Sequence, residues 1–276
     1  MSRTKLATLQ DLLGEMGRAL VCFSGGVDSS LLLRVARDVL GRDAVALTTV
    51  SPTNPEEDTA DAVALARELG VEHVVVHANE LEIPSYRENP VNRCYFCKSN
   101  LYEIAAAEAR LRALPWIIDG VNLDDLGDYR PGLQAAAERT VRHPLAEARL
   151  TKTDIRVLSR MLGLASFDRP ASPCLSSRFP YGTEITAEGL ERVARAEKWL
   201  RARGFRECRV RYFGDRAKVE VPSSEIARLA AEPLHGELAS ALREIGFREV
   251  EIDPRGFRSG SLNEGLREAS PAAGNH

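Results

Sequence analysis

At 276 residues the chain is long enough for a full hydrophobic core and for two domains. Its 44% hydrophobic and 28% charged residues suit a soluble globular protein, and a net charge of −3 excludes the basic excess of a general nucleic-acid binder. No apolar run approaches the roughly 20 residues of a membrane span, and Met1 to Leu6 shows no signal-peptide core, so a cytoplasmic, membrane-free protein is expected. In that reducing compartment the five cysteines read as catalytic or metal-binding rather than as disulfides.

Leu6, Leu9, Leu12, Leu13 and Met16 recur at helical spacing and predict an amphipathic helix ended by Gly17. A strand over Arg18 to Phe23 then meets Ser24-Gly25-Gly26-Val27-Asp28-Ser29-Ser30, a glycine turn that opens a helix continuing from Leu31 to Leu40. Ala44 to Val50 is a second strand. After the Ser51-Pro52-Thr53-Asn54-Pro55 loop, a helix is expected over Glu56 to Leu69, with acidic residues favourably placed in its first turn. Val71 to His77 is a third strand. The alternation of strand and helix predicts a parallel sheet covered on both faces.

A polar segment leads to Arg93-Cys94-Tyr95-Phe96-Cys97-Lys98, a helix over Ser99 to Leu111 and a strand over Trp116 to Asp119. Gly120-Val121-Asn122-Leu123-Asp124-Asp125 and Asp128-Tyr129-Arg130-Pro131-Gly132 form a polar loop at that strand's carboxyl end, where open α/β sheets bind ligands. A helix over Thr153 to Leu162 follows. Three prolines exclude regular helix from Phe167 to Gly182. Thereafter the texture changes. A helix from Thr186 to Arg203, a hairpin over Cys208–Tyr212 and Lys218–Val221, helices near 224–231 and 238–245, and a strand over Glu249 to Ile252 predict a small α+β unit. The expected division is 1–165 for an ATP-binding domain, 166–260 for a cysteine loop and substrate domain, and 261–276 for a disordered tail.

In the glycine loop, Gly25 and Gly26 let the backbone pass close to a phosphate. Ser24, Ser29 and Ser30 supply hydroxyls, and the amides of the first helical turn, from Val27 and Asp28 onward, point at the same spot. The loop lacks the Gly-Lys-Ser of a Walker motif, so β–γ hydrolysis is not the favoured chemistry. Cys94 and Cys97 have metal-ligand or redox spacing, but a single pair makes half a zinc site, and two ordinary buried cysteines fit as well. Cys174 sits in the proline-rich loop beside Ser176, Ser177 and Arg178. Arg178 is about one helical turn on, near enough to lower the thiol's pKa or to hold an anionic substrate. Arg209 and Arg211 alternate on one strand and face one side, which suits bidentate binding of phosphate or carboxylate and equally a solvated charged strand. His73, His77 and His143 show no ligand spacing and read as structural, and Cys22 reads as core.

The run Ser24-Gly25-Gly26-Val27-Asp28-Ser29 resembles the PP-loop of N-type ATP pyrophosphatases, which implies an adenine nucleotide α-hydrolase-like fold, cleavage of ATP to AMP and pyrophosphate, and Asp28 as the magnesium ligand. Pro173-Cys174-Leu175-Ser176-Ser177-Arg178-Phe179-Pro180-Tyr181-Gly182 resembles the signature of the LarE sacrificial sulfur transferases. The 93–98 and 120–125 runs and Gly256 to Asn263 support that resemblance. It implies adenylylation of a carboxylate of a pyridinium biscarboxylate mononucleotide and attack by Cys174 to give a thioester. Breakage of the Cβ–S bond then leaves dehydroalanine, all within nickel-pincer nucleotide biosynthesis. It further implies substrate contacts at Arg178, Arg209 and Arg211, partner enzymes of that pathway, and a homo-oligomer for which a hexamer is the candidate form. Three-cysteine members carry a [4Fe–4S] cluster, which makes Cys94, Cys97 and Cys174 candidate ligands. Competing readings are a tRNA thiolase with the same loop, an amidating synthetase, which leaves Cys174 unexplained, and a nucleotide- or metal-binding sensor without turnover.

Overall fold

The strand β1 (Ala19–Cys22) is buried along its whole length. Ala19 and Val21 enter one apolar layer, and Leu20 and Cys22 enter another. A strand with no polar face must be covered on both sides, as in a parallel sheet between helices. In the computed structural model, residues 2–127, 131–170 and 172–258 are described. The chain divides into two compact units, Met1–Tyr86 with Pro90–Ser172, and Arg87–Asn89 with Pro173–His276.

From the start the chain runs α1 (Ser2–Met16), β1, α2 (Val27–Leu40), β2 (Ala44–Val50), α3 (Glu56–Glu68), β3 (Glu72–His77) and the single turn α4 (Pro84–Arg87). It continues with α5 (Arg93–Leu111), β4 (Trp116–Ile118), α6 (Pro131–Glu138), the turn α7 (Pro144–Glu147) and α8 (Lys152–Met161). The four strands lie in the order β3-β2-β1-β4, all parallel, with Ala19 in register with Ala44 on one side and Trp116 on the other. The chain thus crosses the sheet from β1 to β3 and returns to lay β4 on the opposite flank of β1. That reversal creates a topological switch point between β1 and β4, and ligands of open α/β sheets bind beyond the carboxyl ends at such a point.

On one face Leu9, Leu13, Leu31, Leu32, Ile155 and Leu158 from α1, α2 and α8 pack on the sheet, and on the other Tyr102, Ala105, Ala135 and Ala136 from α5 and α6 do so. Two elements differ from expectation. The helix α5 begins at Arg93 rather than Ser99, because the Arg93 and Tyr95 amides already bond the Pro90 and Asn92 carbonyls. The pair Cys94 and Cys97 therefore lies in its first turns and not in a loop. The helix α6 takes up Pro131 and Gly132, expected in the polar loop, and the residues after them, for which no element was expected; Pro131 is pre-set for a first helical turn, and the small faces of Ala135 and Ala136 are buried.

The second unit carries α9 (Ala187–Ala202), β5 (Arg209–Phe213), β6 (Arg216–Glu220), α10 (Ser223–Ala230), α11 (Leu234–Ile245) and β7 (Glu249–Ile252). Its sheet runs β5-β6-β7, with β5 antiparallel to β6 and β6 parallel to β7. Leu200, Phe205, Val210, Val219, Leu242 and Phe247 fill its core. Among its described residues, the loop from Phe167 to Gly182 holds only two short 3-10 turns, Ala165–Asp168 at its start and Leu175–Arg178, as its prolines require. Asp128-Tyr129-Arg130, the run from Ser259 to Asn263 and the expected tail lie outside the described residues.

Candidate functional site

The glycine loop leaves the carboxyl end of β1, at the switch point. Gly25 has φ +73, and a Cβ there would stand 3.1 Å from Ala62 Cβ and 3.2 Å from the Asp58 carbonyl, so only glycine fits. The Ser24 and Ser29 hydroxyls are 3.2 Å apart, and Gly26 N lies 3.4 Å from Ser24 Oγ. The helix α2 starts at Val27 with no side-chain cap, which leaves its first amides and the positive end of its dipole for a ligand. Ser30 Oγ is buried without a hydrogen-bond partner. Each of these features fits a bound phosphate chain. The loop residues expected from sequence, Ser24 to Ser30, thus follow one another through a single turn into α2.

The loop after β4 closes on the same place. Gly120 packs so tightly on α2 that a Cβ would lie 2.9 Å from Ser29 N. Asn122 Nδ2 donates to Asp28 Oδ1 at 3.4 Å, and the Lys152 ammonium pairs with the other Asp28 oxygen. Asp124 accepts from Lys152 N at 2.8 Å, and Asp125 accepts from Asn122 N at 3.1 Å. Asp119, 2% exposed, accepts from Tyr102 Oη at 2.6 Å and bonds His143 Nδ1 at 2.7 Å. Burial alone would raise the Asp119 pKa, but the His143 hydrogen bond and the Lys98 charge outweigh it and hold the carboxyl below its usual range.

Sequence reading missed Lys152, which lies 124 positions from Asp28. The signal was present. Thr151 and Asp154 form a capping box that puts Lys152 at the first position of α8, where a cation opposes the helix dipole. A cation placed against its local preference points to a partner elsewhere.

In the second unit, Cys174 precedes the 3-10 turn Leu175–Arg178 and is partly exposed. Arg178 is only 1% exposed, and its donors are committed. Nε and Nη2 bond the two Glu197 oxygens at 2.7 and 2.8 Å, and Nη1 donates to the Pro173 and Cys174 carbonyls at 2.7 and 3.0 Å. These bonds brace the backbone that carries the thiol. Burial pushes Glu197 up, but Arg178's charge and hydrogen bonds prevail and keep it below the usual carboxylate range. Glu197 was legible in principle. It sits on the apolar stripe Leu190, Val193, Glu197, Leu200 of α9, where an acid needs a partner.

Arg209 and Arg211 lie on β5 as expected, but neither stands as a free cation. Arg209 donates to the Cys208 carbonyl at 2.6 Å and lies 5.1 Å from the Phe257 ring centre. Burial, then the like charge of Arg178, lowers its pKa to about 10, so it stays charged at neutral pH. Arg211 bonds Glu220 in bidentate fashion at 3.0 and 2.8 Å and reaches the Ser177 carbonyl at 2.8 Å. Among the described residues no three His, Cys, Asp or Glu side chains stand grouped as a metal site.

Comparison with known proteins agrees with this geometry. An NAD synthase family model matches residues 6–114, the segment that holds the glycine loop. The chain is 38% identical to the pyridinium-3,5-bisthiocarboxylic acid mononucleotide synthase of Lactiplantibacillus plantarum, over 98% of this chain and 97% of that one. It belongs to the LarE family of PP-loop proteins. Another relative, an uncharacterized protein of Synechocystis sp., is 48% identical over 96% of this chain and 99% of its own. An NH(3)-dependent NAD(+) synthetase of Methanopyrus kandleri is 47% identical, over 24% of this chain and 25% of that one. The synthase match, over 98% of this chain, takes in both the glycine loop of the first unit and the Cys174 loop of the second, whereas the NAD(+) synthetase match covers only 24% of the chain.

Proposed function

We propose that the chain adenylylates a carboxylate of pyridinium-3,5-biscarboxylic acid mononucleotide with ATP and converts it to a thiocarboxylate, within nickel-pincer nucleotide biosynthesis. The identity to the named synthase along nearly the full chain carries this reading. The free first turn of α2, the Ser24 and Ser29 hydroxyls and the unpartnered Ser30 support it.

In the first unit the α2 amides and the serine hydroxyls hold the departing pyrophosphate, and the substrate carboxylate displaces it from the α-phosphorus. Asp28 is the residue that fits magnesium, which supplies charge neutralisation on the phosphates. Lys152, freed from Asp28, offers its ammonium to the same anion. AMP then leaves when the Cys174 thiolate attacks the acyl carbon, which forms a C–S bond and breaks the C–O bond. Loss of the Cα proton with cleavage of Cβ–S releases the thiocarboxylate with the electron pair and leaves dehydroalanine at Cys174. Arg178 and Glu197 hold the loop during these steps, while Arg209 and Arg211 present charge to the mononucleotide.

A second donor mode is favoured by one observation: Cys94 and Cys97 stand three residues apart in the first turns of α5, Cys94 exposed. With Cys174 they would be the thiolates to hold a [4Fe–4S] cluster, whose open iron would supply a binding site for added sulfide. Mass spectrometry after turnover separates the modes, since a sacrificial Cys174 loses about 34 Da as H2S and a cluster ligand stays intact. Release of pyrophosphate that depends on the pyridinium substrate tests the main reading; release triggered only by tRNA would overturn it. A homo-oligomer, with a hexamer as the candidate form, and cytoplasmic residence complete the proposal. Among the described residues no helix is long and apolar enough to cross a membrane.

A further inference from the structure

We propose that Arg169 is a positioning residue for the glycine loop: it clamps the peptide between Gly25 and Gly26 so that the Gly26 N–H stays on the phosphate side. This role rests on reading that loop as the ATP site. Arg169 Nη1 donates to the Gly25 carbonyl at 3.3 Å, while Nη2 binds Asp58 Oδ1 at 2.8 Å and Asp61 Oδ2 at 2.7 Å. A trans peptide is planar, with its C=O and N–H on opposite edges. Fixing the carbonyl of Gly25 therefore fixes the direction of the Gly26 N–H, which points toward Ser24 Oγ at 3.4 Å. Ser24 Oγ in turn neighbours Ser29 Oγ.

The loop needs an outside clamp because glycine is the residue least able to hold one backbone conformation by itself. Gly25, at φ +73, is followed by a second glycine. The clamp is itself well founded. Arg156, from α8, donates to the Phe167 and Arg169 carbonyls at 2.8 and 3.0 Å and fixes the backbone from which Arg169 reaches. Asp58 and Asp61, on α3, compensate the guanidinium, so it can serve a carbonyl without adding an unbalanced charge beside the phosphates. Asp58 also contacts the loop through its own carbonyl, near Gly25, and accepts from Ser172 Oγ at 2.7 Å. Arg169 thus acts through the Gly25–Gly26 peptide, and the amide does the binding.

The test uses the full chain and MgATP binding by calorimetry, together with substrate-dependent pyrophosphate release. Arg169→Ala is expected to weaken MgATP binding and raise the KM for ATP about tenfold, the worth of one well-placed hydrogen bond, with kcat changed far less. Arg169→Lys, which keeps a cation beside Asp58 and Asp61, should recover part of the affinity and guards against a folding defect. Ser172→Ala removes a neighbouring Asp58 contact without touching Gly25 and should bind MgATP as the wild type does. Wild-type affinity in Arg169→Ala would overturn the clamp. An equal loss in Ser172→Ala would also overturn it, by assigning the effect to the whole segment. Failure of the wild-type chain to bind MgATP would instead sink the ATP-site reading, and the clamp with it.

Discussion

The glycine loop of the first unit and the Cys174 loop of the second are both irregular segments that run into a helical turn, yet they treat their polar groups in opposite ways. Around the glycine loop the donors wait: the first amides of α2 have no side-chain cap, and Ser30 Oγ has no partner. Around Cys174 the polar groups are committed: Arg178 is saturated by Glu197 and by two carbonyls, and Arg211 by Glu220 and the Ser177 carbonyl. A receptor for a diffusible anion profits from unsatisfied donors, whose cost the ligand removes on binding. A loop that carries a covalent nucleophile profits from a frame that holds one geometry. The difference teaches that the first region should fail by losing affinity and the second by losing shape.

The sharpest way to separate the two is Cys174→Ala. It should abolish thiolation while pyrophosphate release continues, as followed by phosphate assay beside product chromatography; sulfur transfer that survives would refute the role. Next in size, Asp28→Asn should lower pyrophosphate release about a hundredfold, with an unchanged unfolding midpoint, measured by steady-state kinetics over a magnesium series. Glu197→Ala attacks the frame. It leaves Arg178 buried without its carboxylate and should cost about 3–5 kcal/mol in denaturant unfolding.

The pH dependence sharpens that third prediction. The Glu197 pKa is depressed in the folded chain, so its contribution is fully present above the unfolded value of about 4.3 and fades as pH falls through the folded one. The stability gap between wild type and Glu197→Gln should accordingly shrink below about pH 4 in acid titrations followed by circular dichroism. The smallest expected effect is Thr151→Ala, which removes the α8 cap beside Lys152 and should cost about 1 kcal/mol in the same unfolding assay.

Much of the first unit was legible because its signals are local. Buried β1, the glycines and the serines follow one another within a dozen residues, and the strand–helix alternation needs no tertiary knowledge. The sheet order was not legible from periodicity, yet it alone brings the 120–125 run to the glycine loop. The partners of the site residues were hidden for the same reason. Asp28 meets Lys152, Gly25 meets Arg169, and Arg178 meets Glu197 only after folding. A guanidinium that grips a substrate and one that braces a loop look alike in sequence, so the bonds from Arg178 to Glu197 and the loop carbonyls could not be read there.

The buried thiols of Cys22 and Cys208 have a practical consequence. Burial, reinforced by Asp119 in one case and Glu197 in the other, pushes each up to about 12, so both stay protonated and shielded near neutral pH. Brief alkylation of the native chain should therefore label at most Cys94, Cys97 and Cys174, and denaturation should add two more. Those two late labels form an internal stoichiometric standard: in a spent, sacrificial enzyme the early count falls by one while the late count holds.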